Sequence, residues 1–397
     1  MAAQSIYSAF TDRGVILHHP ETITLDVTPG QIAPGVEIHP GCRLSGSETS
    51  IGPGCRIGME APATLINCQM GRDVRFNGGF AQEAVFLDGA TVGSGAHIRP
   101  GTLLEEQASC AHTVGLKQTL LMPYVTLGSL INFCDCLMAG GTGPKDHSEV
   151  GSSYIHFNFT AHQDKATASL IGDVPRGVML DRPPVFLGGQ GGLVGPSRIA
   201  YGTVVAAGTI CRRDVTDEGL LVFGQAGGRQ KETPYNLRQY GDIDRVCRNN
   251  FIYAGNIHAL AAWYAHIRPL LTPADPFAQA CLQGARRQIA AVAAERIAQL
   301  DKLAAKLAAN PGNRESHRRL LALRPQLATL LGLPATFTPP PSELVGAIGA
   351  DSRPQPLPPV SYLETIKSLP DSARQAGSAW LQAIVDTVQQ HWEKCKP

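Results

Sequence analysis

The chain has 397 residues, enough for two or three domains and a sizeable core. With 34 Lys and Arg against 33 Asp and Glu, the net charge of +1 creates no global field for nucleic acid or an anionic membrane, so any anion site must be local. Ten scattered cysteines make no disulfide framework, and no window holds the ~18 apolar residues of a membrane span.

The opening, MAAQSIYSAFTDRG, has neither a basic nor an apolar signal region, so the expected location is the reduced cytoplasm. Residues 1–30 read as a separate N-terminal segment. From Ile32 an aliphatic side chain returns nearly every six positions: Ile32, Ile38, Leu44, then Ile51 after a seven-residue step, and Ile57. The pattern reappears at Val92 and Ile98, and again at Leu187, Leu193, Ile199, Val205 and Cys211. Six is the period of a short strand plus a corner, and three such units close a triangular coil of about 18 residues. Gly, Asn and Pro beside the aliphatic positions suit corners that need positive φ or a fixed bend. The prediction is a mainly β fold, a parallel β-helix of hexapeptide repeats over 31–215. Two stretches, 141–148 and 173–184, read as loops thrown out from the coils, either functional or packed on a face.

After Pro234 the pattern becomes helical. Val246, Phe251, Ile257, Leu260 and Trp263 lie near helical spacing, as do Ile289, Val292, Ile297, Leu300, Leu303 and Leu307. An α-helical region is therefore expected over 235–332, broken at Pro311-Gly312. A Pro-rich linker follows over 333–360, then a C-terminal helix within 361–397. That helix either docks on the body or recruits a protein partner.

At residues 193–215, LVGPSRIAYGTVVAAGTICRRDV, and 98–106, IRPGTLLEE, the chain resembles the acetyltransferase domain of bifunctional N-acetylglucosamine-1-phosphate uridyltransferases. With its helical C-terminus it looks like a branch of sugar-nucleotide-pyrophosphorylase-like β-helix proteins. The resemblance implies left-handed winding, a homotrimer, acetyl-CoA or another acyl-CoA as co-substrate, and a phosphorylated sugar or sugar nucleotide as acceptor. It implies phosphate binding by Arg99 and Lys117, with Asn158, Phe159 and Lys165 as further substrate contacts. Ser152, Gly189 and Ala207 take the positions that hold the pantetheine arm. The family's catalytic histidine is replaced by Ser129 in Gly128-Ser129-Leu130-Ile131-Asn132.

Independently of the resemblance, Arg99 and Lys117 are one coil apart, so they should stack on one face as a phosphate grip. His156, His162, Asp164 and Lys165 crowd into ten residues, with His147 on the preceding loop. His162, oriented by Asp164, is the first candidate for the missing base, with His156 and His147 as alternatives. No metal is expected, because no His-x4-His occurs among His112, His147, His156 and His162. The Gly-rich runs at 140–143 and 188–192 lack the strand-to-helix setting of a phosphate loop. Uridylyl transfer is not expected either, since the N-terminus has no room for a nucleotidyltransferase domain. Two readings remain: an acyltransferase, or a non-catalytic sugar-nucleotide-binding scaffold.

Overall fold

The computed structural model describes residues 2–160, 164–224, 240–309, 312, 314–350 and 361–395. Helix α1 (Ala2–Thr11) leads into a three-sided parallel β-helix. Its first face is an 11-stranded ladder of two-residue strands running from Ile16–Leu17 through Thr91–Val92 and Glu149–Val150 to Leu221–Val222. The second and third faces share a 16-stranded sheet, joined where Gly115–Leu121 and Asn132–Met138 bend around a corner. Thr91, Ser109 and Thr126 are successive rungs of the first face, so a coil is about as long as the hexapeptide period requires.

The predicted aliphatic positions fill the interior. Ile38, Ile57, Ile98, Leu187, Leu193 and Val205 are all completely buried, and each belongs to a file of inward side chains. At 1.5–3 kcal/mol for each buried aliphatic side chain, the files supply most of the drive for coiling. The β-helix begins earlier and ends later than the periodicity indicates. Ile16–Leu17 already pairs with Glu37–Ile38, and Leu221–Val222 pairs with Val204–Val205. Single-rung matches at the ends are too short to register as a repeat.

The third face is apolar on its outside as well. Val85, Leu103, Leu120, Leu137 and Leu170 point away from the coil, yet none is more than 4% exposed. A layer of helices covers them: α2 (Val174–Gly177), α3 (Asp244–His266), α4 (Arg268–Leu271), α5 (Pro276–Ala309), α8 (Ser342–Ala350), α9 (Tyr362–Ser368) and α10 (Asp371–Glu393), while α6 (Glu315–Leu323) and α7 (Leu327–Leu331) pack against α5. Close approach is allowed locally by Gly284 of α5, where a Cβ would stand 2.3 Å from Gln69 Oε1. α10 packs along α3 with Trp392 fully buried, so the C-terminal helix docks on the body. Helix α8 lies within the stretch read as an extended linker, and its Leu344 is buried in the same cluster. A nine-residue helix among prolines leaves too little periodicity to be seen. The 173–184 loop contains α2, whose Val174 N donates to Asn256 Oδ1 of α3 at 2.8 Å, so this loop packs on the helical layer.

Buried polar contacts fix the register between layers. Tyr264 OH donates to Glu105, and Arg268 Nη2 donates to Glu106 Oε1 at 2.7 Å. Burial pushes the Glu105 carboxyl up to about 7, with Arg268 opposing. All ten cysteines are free thiols. Among the described residues no helix is long and apolar enough to cross a membrane.

Candidate functional site

The second face sets the geometry. Its ladder places His97, Gly115, Asn132, Ile155 and Gly192 in one outward file, with Ile98 and Leu116 inward beside them. The next outward position, at the corner between the second and third faces, holds Arg99, Lys117 and Cys134. Arg99 N donates to Leu116 O at 3.0 Å, and Lys117 is in register with Cys134. Arg99 Nη2 also donates to Cys134 Sγ at 3.3 Å. Burial pushes the Cys134 thiol up, while Arg99, Lys117 and Lys165 pull against that shift. Arg99 and Lys117, from the two preceding coils, thus stack above Cys134 at this corner. Asp135 then turns the corner with φ 57°, a left-handed conformation that Asp tolerates better than most residues. The two cysteines of Cys134-Asp135-Cys136 therefore belong to different faces, Cys134 outward and Cys136 in the coil interior.

The 158–168 loop leaves from this same corner. Asn158 and Lys165 are exposed, and Arg296 Nη1 of α5 holds the Lys165 carbonyl at 3.2 Å. Phe159 is half-buried against the helical layer. His162, the first candidate base, lies outside the described residues. Asp164, expected to orient it, is 4% exposed. Its Oδ1 accepts from Lys306 Nζ at 2.6 Å, and its Oδ2 accepts from Tyr240 OH at 2.8 Å and Thr160 Oγ1 at 3.0 Å. Asp164 thus ties the loop to α5 and to Tyr240 just before α3, and it holds Thr160 within the loop.

The alternative histidines lie elsewhere. His156 pairs in register with Leu193, an inward position, instead of sharing the outer side with Asn158. Its ring packs edge-on to Phe133 and its Nε2 meets Ser169 Oγ at 2.8 Å. Burial lowers its pKa from 6.5 to about 4. The neutral ring belongs to the folded state, so its contribution is complete above pH 6.5 and is lost as pH falls toward 4. At 1.36 kcal/mol per unit the loss reaches about 3 kcal/mol. In urea titrations, the stability difference between wild type and His156→Leu should shrink across that range; a constant difference would place the ring in water. His147 stands at the corner between the third and first faces, with Nδ1 2.9 Å from Pro144 O and Nε2 3.9 Å from Glu149.

The small residues line the opposite edge of the second face. Gln190 N donates to Ser152 O and Gly208 N to Gly189 O, both within 2.9 Å, so Ser152, Gly189 and Ala207 follow one another down the corner after the first face. A Cβ on Gly188 would be 2.4 Å from Ala207 N, which leaves glycine as the residue that fits. Ser129 stands at the head of this file, its Oγ 3.4 Å from Ser152 Oγ. Between the two edges lies a shallow depression of about 350 Å³ bordered by Thr113, Leu130, Asn132 and Ile155. Sequence reasoning passed over Cys134 as a site residue, although the coil period places it one rung from Lys117. Nothing in the sequence pointed to Arg296, which comes from another layer.

No family model matches the chain. A bifunctional protein GlmU from Nitratidesulfovibrio vulgaris is 27% identical over 227 residues, covering 56% of this chain and 43% of that protein. One from Pelobacter propionicus is 30% identical over 210 residues, covering 53% and 41%. The chain therefore spans less than half the length of these curated relatives. Among solved structures, it is similar to UDP-N-acetylglucosamine acyltransferase from Campylobacter jejuni at 14% identity, covering 68% of this chain and 93% of that one with a TM-score of 0.24. LpxA from Acinetobacter baumannii gives 15% identity, 68% and 97% coverage, and a TM-score of 0.24.

Proposed function

Starting from a hexapeptide-repeat β-helix that resembles bifunctional GlmU proteins over half its length, we propose an acyl-CoA-dependent acyltransferase that acts on a phosphorylated or nucleotide-linked sugar. The supporting observation is the stacking of Arg99 and Lys117 beside Cys134, with the exposed Lys165 on the loop that leaves the same corner, across one face from the Ser152, Gly189 and Ala207 file. A guanidinium fork with two ammonium groups suits phosphate oxygens. The small-residue edge admits a thin pantetheine arm close to the backbone. The acceptor amine or hydroxyl attacks the thioester carbonyl, a C–N or C–O bond forms as the C–S bond breaks, and the acceptor's proton passes to a base. In this reading the base is His162 and the departing thiolate is protonated to free CoA. A homotrimer buries the exposed Ile155, Phe157, Phe186 and Val204 against neighbouring copies, since the third face is already covered.

The test is thiol release from acetyl-CoA with phosphorylated and unphosphorylated hexosamines. Turnover is expected only with the phosphorylated acceptor. Arg99→Ala should weaken its binding by about 1.5–3 kcal/mol, measured by calorimetry. Unchanged affinity would remove Arg99 from the site.

Ser129 and the inward-facing His156 favour a second reading, a scaffold that binds sugar nucleotides without catalysis. Retained UDP-sugar binding in a thermal-shift assay, with no thiol release from any acceptor, selects it.

A further inference from the structure

The first two coils carry a group of side chains that acyl transfer does not use. His18 follows Leu17 and His39 follows Ile38 on adjacent rungs of the first face; His18 N donates to Ile38 O at 3.0 Å and His39 N to Ile57 O at 2.9 Å. This register stacks the two imidazoles with centroids 4.5 Å apart and planes 23° from parallel. Glu37 points outward from the same strand as Ile38. Its Oε2 is 3.8 Å from His18 Nε2, while its Oε1 faces Arg56 Nε at 3.4 Å. One ligand atom from each of His18, Glu37 and His39 lies within 4.8 Å of the other two. Both Nε2 atoms are shut off from solvent, and among the described residues neither has a hydrogen-bond partner. A buried polar atom left unsatisfied destabilises the fold, and this group contains two.

We propose that His18, His39 and Glu37 form a binding site for a divalent transition ion of the zinc class. Two imidazole nitrogens with one carboxylate oxygen match the N/O ligand set of such ions, whereas calcium and magnesium take oxygen ligands almost throughout. Three protein ligands leave the fourth tetrahedral position to water. Bonds of about 2.0–2.1 Å require the ligand atoms to draw together by less than about 1.5 Å. The half-exposed His18 ring provides that movement by turning about its Cβ–Cγ bond, and Arg56 leaves Oε2 free. The ion satisfies both orphaned nitrogens and pins the first coil to the second, where the column has only one neighbouring rung to hold it. Five rungs separate His39 from Ser129, roughly 24 Å at about 4.8 Å per strand, so this site is separate from the acyl-transfer face.

The experiment uses the full chain stripped with a chelator, then dialysed against Co2+ and titrated with Zn2+. Wild type should take up one Co2+ per chain with tetrahedral visible absorption and no thiolate charge-transfer band, and Zn2+ should displace it. His18→Asn and His39→Ala should each weaken binding at least about tenfold, and His147→Ala should leave it unchanged. Zn2+ should also raise the melting midpoint of wild type and not that of His18→Asn, a substitution at a half-exposed position that the fold tolerates. The proposal is overturned if wild type shows neither bound Co2+ nor a Zn2+-dependent midpoint, or if a folded His18→Asn/Glu37→Gln variant binds as wild type does.

Discussion

Replacing His162 by alanine should lower the rate of acyl transfer about 10²–10⁴-fold and leave binding of the phosphorylated acceptor within about twofold. The expectation follows from where the proton must go. An acceptor amine or hydroxyl loses a proton as it attacks the thioester, and Ser129, at the head of the small-residue edge, has no side chain that takes up a proton at neutral pH. His156 is turned into the coil, where burial holds its pKa near 4. His147 stands at another corner beside Glu149. His162 belongs to the segment between Thr160 and Asp164, which are hydrogen-bonded to each other at the corner that carries Lys165. Steady-state rates and single-turnover measurements with a phosphorylated hexosamine read the effect. An unchanged rate in His162→Ala moves the base elsewhere, and a matching loss in His147→Ala would contradict the placement of that residue.

The second large effect is on the fold and the site together. Arg296→Ala should cost about 3–5 kcal/mol of stability, because it leaves a buried carboxylate without its partner. Arg296 is 1% exposed and donates through Nη2 to Asp135 Oδ1 at 2.5 Å. It reaches from the helical layer to the corner after Cys134, and its Nη1 holds the Lys165 carbonyl. The same variant should therefore weaken the phosphorylated ligand more than loss of a remote buried residue would. Adding Asp135→Asn removes the stranded charge and should restore part of the stability without restoring the ligand affinity. Urea unfolding and calorimetry separate the two effects. A loss below about 1 kcal/mol would mean that water reaches the pair.

The six-residue recurrence by itself locates the core, because an inward position in a triangular coil must be filled by something apolar on every rung. Ile38, Ile98 and Leu193 were legible for that reason. The stacking of Arg99 on Lys117 was legible too, since one coil is nearly a constant length of chain. The start at Ile16 and helix α8 left no periodic trace, being too short to repeat.

What the sequence by itself determined is the column and the order of residues up each corner, because period and register are local consequences of side-chain alternation. Only the tertiary structure decided which corner faces what. The apolar outside of the third face identifies its cover only once α3, α5 and α10 lie on it, and Arg296 meets Asp135 from 161 residues away. It also decided the direction of His156. A strand three residues long, leaving into a loop, has no fixed parity until its neighbours at Phe133 and Leu193 set the register.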